Sequence, residues 1–147
     1  MLISQGLAKT DLGVPMHLII DGYGSNSDIL QSEEFIYQLL DQYPAEIGMT
    51  KIAPPYVTRY VGTKPEDWGV SGFVLIAESH ISIHTFVELC YVNIDVFSCK
   101  HFNADQVIRG LRDRLQLTEV KTYLLERGMA GPEHLEQVGE ATILKPQ

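Results

Sequence analysis

Glu78, Ser79 and His80 stand together in the chain, His84 follows on the same apolar-alternating segment, and Cys99 closes the stretch. A hydroxyl, an imidazole and a thiol gathered at strand ends can carry out nucleophilic and proton-transfer chemistry. The same residues also fit a plainer reading. Ser79-His80 would then be a turn between two strands, His84 a core histidine bonded to backbone, and Cys99 a small buried hydrophobe. Residue types alone leave both readings open.

The elements that must position these groups are legible from periodicity. Met16 to Gly22 is a short apolar run ending in turn residues and reads as a strand. Ile29, Leu30, Phe35, Ile36, Leu39 and Leu40 recur at helical spacing, with Ser25 or Ser27 as cap and Pro44 as stop. Met49 to Tyr60 looks extended, broken by Pro54-Pro55, and Val61 to Gly69 carries the loop residues Gly62, Pro65 and Gly69. Gly72 to Ala77 is an apolar strand. Ile81, Ile83 and Thr85 alternate with Ser82 and His84 as in a half-buried strand, and Tyr91 to Ser98 is a further β-rich run. Asn103 or Asp105 opens a helix through Leu115 with Val107, Ile108, Leu111 and Leu115 on one face. Glu119 to Glu126 is the last strand, and Gly128, Gly131 and Pro132 open an irregular tail.

This order predicts an α+β fold: a two-layer α/β sandwich, with helices on one face of a largely antiparallel sheet. A faint internal repeat of βαββ type relates His17 to Leu30 (strand, Asp21, turn, helix) to Asn93 to Ile108 (strand, Asp95, turn, helix).

The 147 residues suffice for one domain with one core, and 45% hydrophobic with 20% charged residues is an ordinary globular balance. A formal net charge of -8 repels phosphate backbones and argues against nucleic acid. Cys90 and Cys99 are too few for a disulfide scaffold and have no second Cys/His cluster to make a metal site. Met1 to Val14 include Lys9 and Asp11 and no apolar run long enough for a signal peptide, and no stretch approaches a membrane span. The expectation is a cytoplasmic protein with reduced thiols and no membrane partner.

Glu78-Ser79-His80-Ile81-Ser82-Ile83-His84-Thr85 resembles the processing-site signature of the small prokaryotic S-adenosylmethionine decarboxylase proenzymes: Glu-Ser-His, two variable residues, Ile-His-Thr. The likeness runs without a gap from Gly69 to Cys99, through Gly69-Val-Ser-Gly72 and Ile94-Asp95. It extends to His17-Leu18 and Tyr23, covering most of residues 16 to 126.

The resemblance implies one domain over 1–147 that cleaves itself into a β chain, 1–78, and an α chain, 79–147. Ser79 attacks the Glu78 carbonyl with support from Ser71, His84 takes the α-proton of residue 79, and a pyruvoyl group remains. That group needs neither pyridoxal phosphate nor metal. It forms a Schiff base with the substrate amine and accepts the electrons left by carbon dioxide. Cys99 corresponds to the proton donor in turnover, a role suited to a thiol, whose ordinary pKa of about 8.5 is near working pH. Glu88 corresponds to the residue that holds the ribose hydroxyls. Tyr56 and Trp68 are the candidate stacking faces for adenine, and His84 also borders the substrate. A homodimer of processed protomers, with sheets edge to edge, is the implied assembly.

The chain departs from the family pattern at Phe86-Val87-Glu88, where Trp-Pro-Glu is common, and at Cys90, where glycine is common. It also carries an insertion from Val61 to Trp68, close to the adenine pocket. These departures leave the pyruvoyl chemistry in place and bear on the substrate. S-adenosylmethionine is the first candidate, arginine or ornithine the second, and a non-catalytic binding homologue the third.

Overall fold

The computed structural model describes residues 15–128. Among them, seven strands form a single antiparallel sheet: β1 Met16–Tyr23, β2 Thr50–Lys51, β3 Tyr56–Val61, β4 Trp68–Ala77, β5 Ser79–Phe86, β6 Tyr91–Ser98 and β7 Glu119–Glu126. The order across the sheet is β2-β4-β5-β6-β1-β7, with β3 pairing the other end of β4. The helices are α1 Ser27–Leu30, α2 Glu33–Glu46 and α3 Ala104–Arg114. No helix among the described residues is long and apolar enough to cross a membrane.

Strand alternation puts Leu18, Ile20, Val74, Ile76, Ile81, Ile83, Val92, Ile94 and Val96 on the covered face, all buried. Helix α2 lays Ile36, Leu39, Leu40 and Tyr43 against β2, β3 and β4, and α3 packs on β1 and β7 through Val107 and Leu111. Burying each such aliphatic side chain stabilises the fold by roughly 1.5–3 kcal/mol. The Tyr43 hydroxyl donates to the Val107 carbonyl at 3.1 Å and ties α2 to α3. Both helices therefore lie on one face, as the two-layer α+β expectation requires.

The first helical segment differs from its sequence reading. It is two helices, because Ser32 restarts the chain: its hydroxyl accepts from the Phe35 amide at 3.0 Å. Asn26 caps α1 by accepting from the Asp28 amide at 2.8 Å, while the Ser25 hydroxyl donates to the Leu115 carbonyl. Pro44 does not stop the helix but lies inside it, buried. It has no N–H for the Leu40 carbonyl, yet it stands in the final turn and its own carbonyl accepts from the Met49 amide at 2.8 Å.

The two strand–helix units of the faint repeat lie side by side. β1 pairs β6 along its whole length, Asp21 opposite Asn93. Gly131 and Pro132 of the expected tail lie outside the described residues.

Candidate active site

Ser71 on β4 and His84 on β5 are directly opposite partners, and His84 Nδ1 lies 2.9 Å from Ser71 Oγ. Their strands are drawn together beside them. A side chain at Gly69 would begin 1.8 Å from the Thr85 carbonyl oxygen, so only glycine permits this approach. Thr85 acts as a ligament: its hydroxyl accepts from the Val70 amide and donates to the Leu30 carbonyl, each at 2.8 Å. Three positions of the sequence block thus serve to aim His84 and Ser71 out of the uncovered face.

Beside that pair is a cavity of about 260 Å³ lined by Tyr60, Asp67, Trp68, Ser71, His84, Thr85 and Phe86. Trp68 Nε1–H donates to Glu88 Oε1 at 3.0 Å, and the Arg59 guanidinium stands 4.5 Å from the centre of the indole. Glu88 is on a single 3-10 turn, Val87–Leu89, which ends at Cys90 with φ 48°. Glycine is favoured in that left-handed conformation, so the glycine that the family resemblance leads one to expect there would fit without strain.

Tyr56 is placed elsewhere. It is 60% exposed, pairs with Phe73 at 5.9 Å between ring centres, and does not line the cavity. Tyr60, not singled out from the sequence, does line it. Tyr56, Thr58 and Tyr60 alternate along β3, and of the three only Tyr60 faces a glycine, Gly69, a pairing that register sets and neither strand shows by itself.

Glu78 and Ser79, the expected cleavage pair, lie at the other end of β5. Glu78 is the turn residue between β4 and β5, and Ser79 takes φ 129°, a conformation L-residues rarely adopt. Ser79 Oγ is 3.6 Å from Cys99 Sγ. The Cys99 amide donates to the Glu78 carbonyl oxygen at 3.2 Å. The carbonyl open to attack is therefore already polarised by an N–H, as an oxyanion site needs.

Within one protomer the structure does not bring these two groups together. Ser79 and His84 are both on β5 and five residues apart, which is about 16 Å at the rise of an extended strand. Ser71, His84, Trp68 and Glu88 form one cluster, and Glu78, Ser79 and Cys99 another.

Along β1 and β6 the uncovered face carries a polar network. Asp21 accepts from the Tyr91 hydroxyl and from Asn93, each at 2.9 Å, and His17 meets Asp95 at 2.8 Å. Burial, then the hydrogen bond and charge of Asp21, pushes the Tyr91 hydroxyl up to about 12. Among the described residues no three His, Cys, Asp or Glu side chains are grouped as a metal site.

The family model described as S-adenosylmethionine decarboxylase matches residues 16–128. A protein of Thermoplasma acidophilum named S-adenosylmethionine decarboxylase proenzyme is 33% identical over 134 residues, 90% of this chain and 95% of that protein. A Clostridium botulinum protein of the same name is 34% identical over 113 residues, 76% and 92% of the two chains. The crystal structure of the adenosylmethionine decarboxylase from Aquifex aeolicus superposes with a TM-score of 0.68 at 28% identity, covering 82% of this chain and 95% of that one.

Proposed function

Since the chain belongs to the S-adenosylmethionine decarboxylase family, we propose that it is a self-cleaving proenzyme that makes a pyruvoyl group of Ser79 and decarboxylates S-adenosylmethionine. The observation that carries this is the Glu78–Ser79 turn, where a rarely adopted backbone conformation, a hydroxyl and an N–H already on the Glu78 carbonyl meet at one peptide bond.

Ser79 Oγ adds to the Glu78 carbonyl carbon, and the Cys99 amide holds the developing oxyanion. The C–N bond breaks, leaving an ester from Glu78 to the Ser79 side chain and a free amine on residue 79. Removal of the α-proton of residue 79 then expels Glu78 as a carboxylate. The dehydroalanine left behind tautomerises, and water displaces its nitrogen as ammonia.

The α-proton needs a base within hydrogen-bond reach, and His84 of the same protomer stands about 16 Å away along its strand. His84 of a second copy would meet the requirement. Ser71, His84 and the exposed Tyr56 and Phe73 belong to the face that no helix covers. Two such faces related by a two-fold axis lying across the strands would bring the Ser79 end of one sheet over the His84 end of the other. The isologous contact would make two equal sites. This favours a face-to-face homodimer over sheets joined edge to edge.

The pyruvoyl group would supply a ketone that condenses with the substrate amine and takes up the electrons released with carbon dioxide. Cys99 Sγ, beside residue 79, is placed to return a proton to carbon. In the cavity Tyr60 offers the adenine a ring, and Glu88, bonded to Trp68 of its lining, offers the ribose diol an acceptor.

Mass spectrometry of the purified protein tests the reading. Fragments 1–78 and 79–147 are expected, the second blocked at its amino end, together with carbon dioxide release from S-adenosylmethionine and none from arginine or ornithine. An active preparation of intact chain, or agmatine release from arginine, would overturn it.

A further inference from the structure

Trp68 is the only tryptophan in the chain and the last residue of the segment that departs from the family pattern. Its bonding is specific. The indole N–H is spent on Glu88, and Arg59 from the neighbouring strand stands over the ring. The loop that delivers it is closed on itself, Gly62 N–H to the Asp67 carbonyl and Asp67 N–H to the Lys64 carbonyl. Glu88, by contrast, is an exposed side chain on a one-turn helix, and the Trp68 indole is its one side-chain hydrogen-bond partner among the described residues.

We propose that Trp68 is a positioning residue that orients Glu88 for a vicinal diol, and that it thereby sets the selection of ribonucleosides over 2′-deoxyribonucleosides at this site. The proposal rests on the reading of Glu88 as the diol acceptor. A carboxylate has about four lone-pair positions. The indole occupies one on Oε1, leaving Oε2 and the rest of Oε1 for two hydroxyls. An unheld glutamate must lose rotamer freedom when it grips the diol, whereas one already fixed by Trp68 does not. Arg59 holds the indole plane, so the fixed point is not itself a swinging side chain. Trp68 therefore contributes through its edge rather than as the stacking face its residue type suggests.

The test is calorimetric titration of the processed protein with adenosine and with 2′-deoxyadenosine, neither of which has a carboxylate to lose. Wild type should prefer adenosine. Trp68→Phe keeps a ring for Arg59 and removes the donor. It should weaken adenosine binding ~2- to 13-fold, the cost of ordering one rotamer-rich side chain, and leave 2′-deoxyadenosine nearly unchanged, so the preference collapses. Glu88→Ala should abolish the preference, and adding Trp68→Phe to it should cost nothing more. With S-adenosylmethionine the Trp68→Phe loss should fall on KM rather than kcat. Emission from the single tryptophan should shift on Glu88→Ala, reporting the contact without reference to any activity. An undiminished preference in Trp68→Phe, or equal weakening of both nucleosides, overturns the proposal. Nucleoside selection without decarboxylation would sink the assigned activity and leave the role of Trp68 standing. Absence of nucleoside binding by wild type would remove the diol reading and this inference with it.

Discussion

Cys99 meets both residues of the proposed cleavage site: its Sγ is 3.6 Å from Ser79 Oγ, and its amide donates to the carbonyl of Glu78 at 3.2 Å. One residue thus presents a backbone group suited to cleavage and a side chain suited to turnover. The two roles should separate by mutation, since a substitution changes only the second.

Cys99→Ala keeps the amide and should process at close to the normal rate. Its decarboxylation should fall by ~10²-fold or more, the usual loss for a missing general acid. Gel analysis of cleavage beside single-turnover carbon dioxide release reads both. A Cys99→Ala chain that stays intact would show that the thiol, not the amide, supports cleavage.

The five-residue separation of Ser79 and His84 on β5 makes a sharper prediction. His84→Ala alone should stall at the ester, and hydroxylamine should split it there. Ser79→Ala alone should remain uncleaved. Co-expressed, the two variants form mixed dimers in which one site has Ser79 from the first chain and His84 from the second. The His84→Ala chain should then be processed without hydroxylamine, to at most the fraction present in mixed dimers. If it is not, His84 does not act across the interface.

A third prediction concerns the helical layer. Burial raises the Tyr43 hydroxyl to about 12, against a smaller opposing effect of Arg114. The folded state thus holds its proton more tightly than the unfolded chain, whose tyrosines titrate near 10. Stability from this group is complete below pH ~10 and is lost as pH rises from there toward 12. Tyr43→Phe should cost ~1 kcal/mol at pH 8 by losing the bond to Val107, and its stability should fall less steeply above pH 10. Urea titrations at pH 8, 10 and 11 measure this. Parallel decline in both proteins would assign the alkaline loss elsewhere.

Most of the strand plan was legible because each strand buries one face, and alternation such as Ile81, Ile83, Thr85 survives in the sequence. The α1–α2 break was not, because apolar spacing continues through it and only the Ser32 hydroxyl marks the restart. Pro44 misled for a related reason: proline is costly where it breaks an interior bond, and near a helix end only one carbonyl goes unserved. The cleavage motif was legible as a motif, yet its geometry was not drawn from it. The structure extends the strand of Ile81, Ile83 and Thr85 back to Ser79, and five residues of extended chain set Ser79 and His84 far apart. Tyr60 escaped because its importance lies in what it faces, Gly69 across β3 and β4, and register is not written in either strand alone.

Register also decides which tyrosine borders the cavity. Tyr60 lines the cavity with His84 and Trp68, whereas Tyr56 is two positions further along the same face, against Phe73. A base stacked on an aromatic side chain contributes ~1–3 kcal/mol, which corresponds to ~5- to 150-fold in affinity. Tyr60→Ala should raise KM for S-adenosylmethionine within that range while leaving self-cleavage nearly unchanged, because the Tyr60 hydroxyl bonds to Asp67 and not to Ser71 or His84. Tyr60→Phe retains the ring and should restore KM to within about twofold of wild type, which a role for the hydroxyl would not allow. Tyr56→Ala, compared at equal dimer content, should leave KM close to the wild-type value. Steady-state kinetics on the three variants discriminate: a KM that responds to Tyr56 and not to Tyr60 would move the adenine out of the Tyr60–Trp68 cavity and onto the open edge of β3.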